Sequence, residues 1–336
     1  MSIHISAFFA KNSIKINDRT NLTGKETQED PKMNCFQGRT DLALEARESI
    51  SEADSTLHGV VLEEEYDEEK DIRVTKVAIT TKNGAKAMKK PMGNYVTIEA
   101  PGMLEPDEGY HREISEVIAK ELTAIIPDAQ NEQEILVVGL GNREVTADAL
   151  GPNVVDNLFV TRHIVKEYGK AAYNKERMHV VSSIEPGVMG KTGMEAAEII
   201  RGVVEQTTPN VMIVIDALAA RSTKRLNRTI QITNTGIHPG SGVGNNRNAL
   251  TQESMQIPVI AIGVPTVVDA ATIVGDALER MLGEVSEADK RCYIDSCRNE
   301  LTDLHNMYVT SKDIDAVIKR VSYTVSEGIN MALELS

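Results

Sequence analysis

The stretch EILVVGLGNREVTADALGPNVVDNL, Glu134 to Leu158, decides how this chain folds. Ile135-Leu136-Val137-Val138-Gly139 is an apolar run of strand length, too short for a helix. Gly139, Gly141 and Asn142 supply a turn, and the loop after it carries Asp148. Gly151-Pro152 then opens a helix, with Pro152 suited to the first helical position because its missing N–H is not needed there. Val154, Val155, Leu158 and Phe159 give that helix an apolar stripe. Strand, glycine turn, acidic loop and helix together form the unit that builds ligand sites at the carboxyl ends of parallel strands.

Two functions compete for this unit. A dinucleotide loop needs a third glycine at position 144, where the chain has Glu144, and a bare GxG is weak evidence. The second reading makes Asp148 the working group, held where the chain leaves the sheet; the bland alternative makes it a helix-entry residue.

The flanking sequence extends the same architecture. Leu42-Ala43-Leu44-Glu45-Ala46-Arg47 favours helix. The acidic run Glu63 to Glu69 reads as a solvated face or turn. Ile72 to Val77 alternates as a half-buried strand, Asn83-Gly84 signals a hairpin, and Tyr95 to Glu99 supplies the returning strand. Pro106 to Ile126 has helical spacing. Val180-Val181, Val211 to Ile215, Thr229 to Ile232 and Pro258 to Gly263 are further strands, with helices over Thr192 to Val203 and from about Ser311. Alternating strands and helices predict an α/β fold with a mostly parallel sheet covered on both faces. Residues 42–105 then form an appended N-terminal helix and antiparallel β element, 131–275 the central sheet, and 276–336 a C-terminal helical part of one domain.

Asp216 strengthens the case for Asp148. It follows five apolar residues directly, so the backbone delivers a second carboxylate to the carboxyl edge of a central strand. Two carboxylates so placed can share a proton, which suits them to activate water and protonate a leaving amine. A strand-end Asp capping the next turn is the alternative. The glycine-dense loop Asn234 to Arg247 adds His238, a candidate to orient a carboxylate, bind a carbonyl or ligate a metal. Arg221, Lys224, Arg225 and Arg228 crowd after Asp216 and suit recognition of acidic side chains, or pairing with the acidic run.

Composition narrows the classes. Net charge is -14 and pI about 5.1, which argues against direct nucleic-acid binding. Cys35, Cys292 and Cys297 form no disulfide framework, and Cys292/Cys297 lack a second pair for zinc. The N-terminus lacks an export signal, and no stretch has the length of a membrane span, so a soluble cytoplasmic protein is expected. Residues 1–41, polar from residue 11 on, read as a loosely docked leader.

Several blocks resemble the germination protease of endospore-forming bacteria: VVGLGN (137–142), TADALGP (146–152), VTRH (160–163) and EPGVMGKTG (185–193). IDALAAR (215–221), GIHPGSGVGN (236–245), IAIGVPTVVDA (260–270) and RTDLALEA (39–46) complete the match. Hydrogenase maturation proteases are more distantly similar. The resemblance implies an endopeptidase that degrades small acid-soluble spore proteins in the germinating spore core. It also implies a tetrameric precursor that trims its own N-terminus, with Asp148 and Asp216 as the aspartic-type catalytic pair. Gly141, Asn142, His238, Arg221 and Arg247 fall in the matching segments as supporting or substrate-binding candidates. No cofactor or metal is expected. The alternatives are a metal-dependent peptidase using Asp148, Asp216 and His238, and a module that binds spore proteins without cutting them. Arg39-Thr40-Asp41-Leu42-Ala43 resembles the acid-then-apolar-Ala site that the family cuts, so self-cleavage is expected between Asp41 and Leu42, promoted by mild acid; alternatively, Asp41 caps the helix that starts at Leu42. The leader before Arg39 is longer than in the family, and the stretch between Leu282 and Ser311 is shorter.

Overall fold

Residues 135–138, all apolar and all buried, form the centre of β4 (Glu134–Gly139), and the rest of the sheet is arranged on either side of it. The computed structural model describes residues 40–50, 59–173, 177–240, 247–281, 304 and 307–335. These belong to one compact unit spanning Phe36–Ser336. Cys35, Cys292, Cys297 and most of the leader lie outside the described residues, as do Ser241–Asn246 of the glycine loop and most of the Leu282–Ser311 stretch.

Among the described residues the sheet has nine strands. β4 pairs in parallel with β5 (Val180–Ile184) on one side and β6 (Val211–Ala220) on the other, and β6 pairs in parallel with β8 (Val259–Asp269). Beyond β8 the direction alternates: β7 (Thr229–Thr233), β3 (Gly93–Glu99), β2 (Ile72–Ile79) and β1 (Val60–Asp67) are antiparallel in turn. The short β9 (Tyr308–Val309) also runs antiparallel, against the far end of β8. The parallel sheet is therefore one half of a mixed sheet, and β7, expected among the parallel strands, turns back to join the halves. The N-terminal β element is a continuation of the main sheet through β3 and β7.

Helices cover both faces. Ile114, Ile118 and Leu122 of α3 (Glu108–Ile125) pack with Val317, Val321 and Val325 of α10 (Ile314–Ala332) on one face, against Ile135, Val137, Ile213 and Ile215. The opposite face gathers Leu136, Val138, Met212, Val214 and Leu218 against Ala197, Ile200 and Val204 of α7 (Ala196–Thr207). The alternation along β4 and β6 divides the two cores, because successive strand side chains point to opposite faces. Leu42 is buried in the second core, just ahead of α1 (Ala43–Glu48).

Several local expectations shift. Asn83-Gly84 lies in a short helix, α2 (Lys82–Met88), whose first turn is capped by the Thr81 hydroxyl accepting from the Gly84 N–H at 3.1 Å, so no tight hairpin joins β2 to β3. The acidic run forms most of β1, an exposed edge strand with Glu64 paired to Arg73 at 3.0 Å; charge on an edge strand discourages further pairing. The helix after Asp148, α4 (Leu150–Val155), starts one residue early and stops before Phe159, which is 59% exposed. Pro152 still falls within the first turn, where its N–H is not missed. No helix of the described residues is long and apolar enough to cross a membrane.

Candidate active site

Asp216 stands inside β6, which continues to Ala220 beyond the point where the apolar run ends. Even-numbered residues of β6 face the second core, so the Asp216 carboxylate is turned inward and is 6% exposed. Its register partner on β8 is Gly263, whose missing side chain makes room for that of Leu218. Among the described residues its donor is the Ala217 N–H at 3.0 Å. Burial pushes its pKa well above the ordinary carboxylate value, and the Asp148 and Asp41 carboxylates push it further in the same direction.

Asp148 closes a 3-10 turn (Thr146–Asp148) between β4 and α4. The turn is held by the Asp148 N–H donating to Val145 O at 2.7 Å and by the Asn142 N–H donating to Asp148 O at 3.0 Å. Gly141 makes this possible. Its φ is +117°, and a Cβ there would lie 2.0 Å from the Asp148 carbonyl oxygen. Gly151 serves a second close approach, because its Cβ would lie 2.3 Å from Leu140 O. Desolvation raises the Asp148 pKa, with the Asn142 amide and the Arg247 charge acting against it.

Both acids line one cavity of about 530 Å³, together with Gly141, His238, Arg247 and Asp41. Arg247 is half-buried, and its charge favours the ionised form of both acids. His238 is exposed, on the cavity wall. Among the described residues no three His, Cys, Asp or Glu side chains converge closely enough to hold a metal ion, so Asp148, Asp216 and His238 do not form a ligand set in this structure. Asn142 contributes its backbone to the turn, and its side chain accepts from the Glu144 N–H at 3.1 Å.

Arg221 lies elsewhere. Its guanidinium pairs with Asp276 at 2.7 Å, and its N–H donates to Glu45 at 2.7 Å. Arg225 pairs with Glu48 and Glu99 at 2.7 and 2.8 Å. These cations bind α1 and its neighbours.

Asp41 does not cap α1. Its N–H donates to Ala219 O at 3.0 Å and its carboxylate accepts from the Ala219 N–H at 2.9 Å, so it lies as a short extended segment beside the end of β6. The residue before α1 is Leu42, which makes no side-chain cap.

The sequence model of the family described as germination protease matches residues 38–285. The chain belongs to the germination protease family. The germination protease from Caldanaerobacter subterraneus subsp. tengcongensis is 46% identical over 311 residues, covering 88% of this chain and 94% of that relative. The germination protease from Clostridium perfringens strain SM101 is 47% identical over 317 residues, covering 89% and 96%. Among solved structures, a nickel-iron hydrogenase maturation protease from Thermococcus kodakarensis is similar at a TM-score of 0.26 and 15% identity, covering 44% of this chain and 80% of that one. The chain is thus a peptidase, and its cavity holds the two acids the sequence singles out.

Lys90 and Gln231 are among the polar side chains of this cavity that the sequence does not single out. Lys90 follows α2, where Lys89 adopts a left-handed φ of 51° and redirects the chain. Gln231 is buried in β7, and an amide inside the run Thr229-Ile230-Gln231-Ile232-Thr233 is the signal that could have found it.

Proposed function

We propose that this peptidase degrades small acid-soluble spore proteins during germination, using Asp148 and Asp216 to activate water, and that it matures by cutting its own Asp41–Leu42 bond. The observation that carries the reading is the pair of coupled carboxylates in one cavity with the extended Asp41 segment beside them. Asp216, more strongly driven to keep its proton, is the neutral acid; Asp148 is the base, and the two titrate as a unit. Water attacks the scissile carbonyl carbon as Asp148 takes its proton. Collapse breaks the C–N bond, and the amine nitrogen leaves with a proton relayed through the acids.

Asp41 and Leu42 supply the acid-then-apolar pattern, and tethering gives the leader a high effective concentration at the cavity. The spore core as the site of action and a homotetrameric precursor complete the proposal. Incubation with a purified small acid-soluble spore protein, followed by mass analysis of the products, tests the substrate. Intact substrate bound to the protein would make this chain a binding module. Activity that survives complete chelation supports the metal-free pair; loss on chelation with recovery on adding back a metal overturns it.

A further inference from the structure

The carbonyl oxygen of Asp41 receives two side-chain donors. Lys90 Nζ donates to it at 2.7 Å and Gln231 Nε2 at 3.3 Å. Gln231 Oε1 in turn accepts from the Ala43 N–H at 2.7 Å, which fixes the orientation of the amide. The Asp41–Leu42 peptide is therefore gripped at the oxygen, while Ala219 holds the Asp41 backbone and Leu42 anchors its side chain in the core.

Sheet register brings this grip beside the acids. Gln231 pairs with Gly263 across β7 and β8, and Gly263 pairs with Asp216 across β8 and β6. Residues opposite one another in a sheet share a face, so Gln231 and Asp216 project to the same side, roughly 10 Å apart at the backbone. Between them stands Gly263, and the Leu218 side chain packs over it. Gln231 bonds the Asp41 carbonyl, and Asp41, Gln231 and Asp216 line the same cavity. Lys90 reaches the same oxygen from the end of α2.

We propose that Lys90 and Gln231 are catalytic residues that stabilise the oxyanion formed on the scissile carbonyl, an assignment that rests on Asp41–Leu42 being the bond cut. When the water oxygen bonds to the Asp41 carbon, one water proton passes to Asp148 and the C=O electron pair moves on to oxygen. Lys90 and Gln231 already point at that atom, and their hydrogen bonds strengthen as it gains charge. Collapse restores the carbonyl, breaks the C–N bond and leaves an Asp41 carboxyl and a Leu42 amine. Fixed donors that need no rearrangement are the arrangement that lowers such a barrier. In substrates the same two groups take the carbonyl before the cut bond.

The test uses the full-length chain and its first-order self-cleavage, followed by intact mass, with hydrogen exchange over residues 41–48 reporting whether the segment stays docked. Lys90→Met is expected to slow cleavage roughly 100- to 1000-fold, with exchange over 41–48 unchanged. Lys90→Arg, which keeps a cationic donor, is expected to recover part of that loss. Gln231→Met is expected to slow cleavage by a smaller factor, in keeping with its longer bond. Cleavage by Lys90→Met within threefold of wild type overturns the assignment. So does a slowing matched by faster exchange, which marks docking alone. A wild-type chain that stays intact, or an Asp216→Asn chain that cuts at the wild-type rate, overturns the self-processing reading itself and the assignment with it.

Discussion

Asp216 holds its proton more tightly than Asp148, because its carboxylate is turned into the core and faces the Asp148 charge across the cavity. An acid whose pKa is raised on folding binds more protons in the folded state. Folded stability then falls as pH climbs from the ordinary Asp value of about 3.9 toward the raised one, with a slope of up to about 1.4 kcal/mol per pH unit for one proton. Asp216→Asn removes this dependence. Its Tm is expected to exceed that of the parent at neutral pH, with the gap closing as pH falls below about 4. A gap that stays constant across a melting series from pH 4 to 8 would falsify the inward, proton-holding role.

The proposed mechanism requires both acids. Asp148→Asn and Asp216→Asn are each expected to slow peptide-bond cleavage on the order of a thousandfold while the fold is kept, since general acid–base groups contribute on that scale. Cleavage rates and circular dichroism on the same preparations check this. Full activity in either variant removes that residue from the mechanism.

Gly141 sets the position of Asp148. Gly141→Ala brings a Cβ against the Asp148 carbonyl oxygen and forces a left-handed φ on a residue that disfavours it. Backbone strain of this kind costs about 1–3 kcal/mol. The expected result is a Tm lower by a few degrees and a larger proportional loss of activity, because the displaced turn carries the acid. Normal activity with normal melting would mean that the turn has slack.

Glu45 ties α1 to the end of β6. Its buried carboxylate accepts the N–H groups of Arg221 and Ser222 at 2.7 and 2.9 Å and the Thr40 hydroxyl, and it pairs with Arg225. Glu45→Gln places an amide donor against those donors. A loss of about 3 kcal/mol in chemical denaturation is expected, together with slower appearance of an N-terminus at Leu42. An unchanged denaturation midpoint would show the group to be dispensable.

The acids were legible in the sequence because each follows a strand that is readable alone: Ile135–Val138 and Val211–Ile215 are continuous apolar runs of strand length. The placement of β7 was not, because it depends on β3 and β8, which are distant in the chain, and a five-residue strand carries no mark of its direction. Asn83-Gly84 misled because the pair suits a hairpin turn, while Thr81 capping and the burial of Met88 drew the segment into a helix. Arg221 sits beside Asp216 in sequence, but its partner Asp276 comes from α9 (Ala270–Met281), which turns it away from the cavity. Lys90 and Gln231 were invisible for the same reason. Their role exists only once the Asp41 segment lies across the sheet.

Arg247 favours the charged form of both acids, and its removal has a definite sign. Arg247→Met takes away the positive charge that lowers the pKa of Asp148 and of Asp216. Both values then rise. In the proposed mechanism activity on the acid side requires Asp148 ionised, so the acid limb of the pH–rate profile moves to higher pH. On the basic side Asp216 must keep its proton, and its higher pKa moves that limb upward as well. The whole bell is expected to shift toward alkaline pH. Arg247→Lys, which retains the charge, is expected to leave the profile near that of the parent. Profiles of kcat/KM on a fixed peptide for the three proteins decide it. A bell that keeps its position in Arg247→Met while its height falls would make Arg247 a substrate-binding group with no part in tuning the acids.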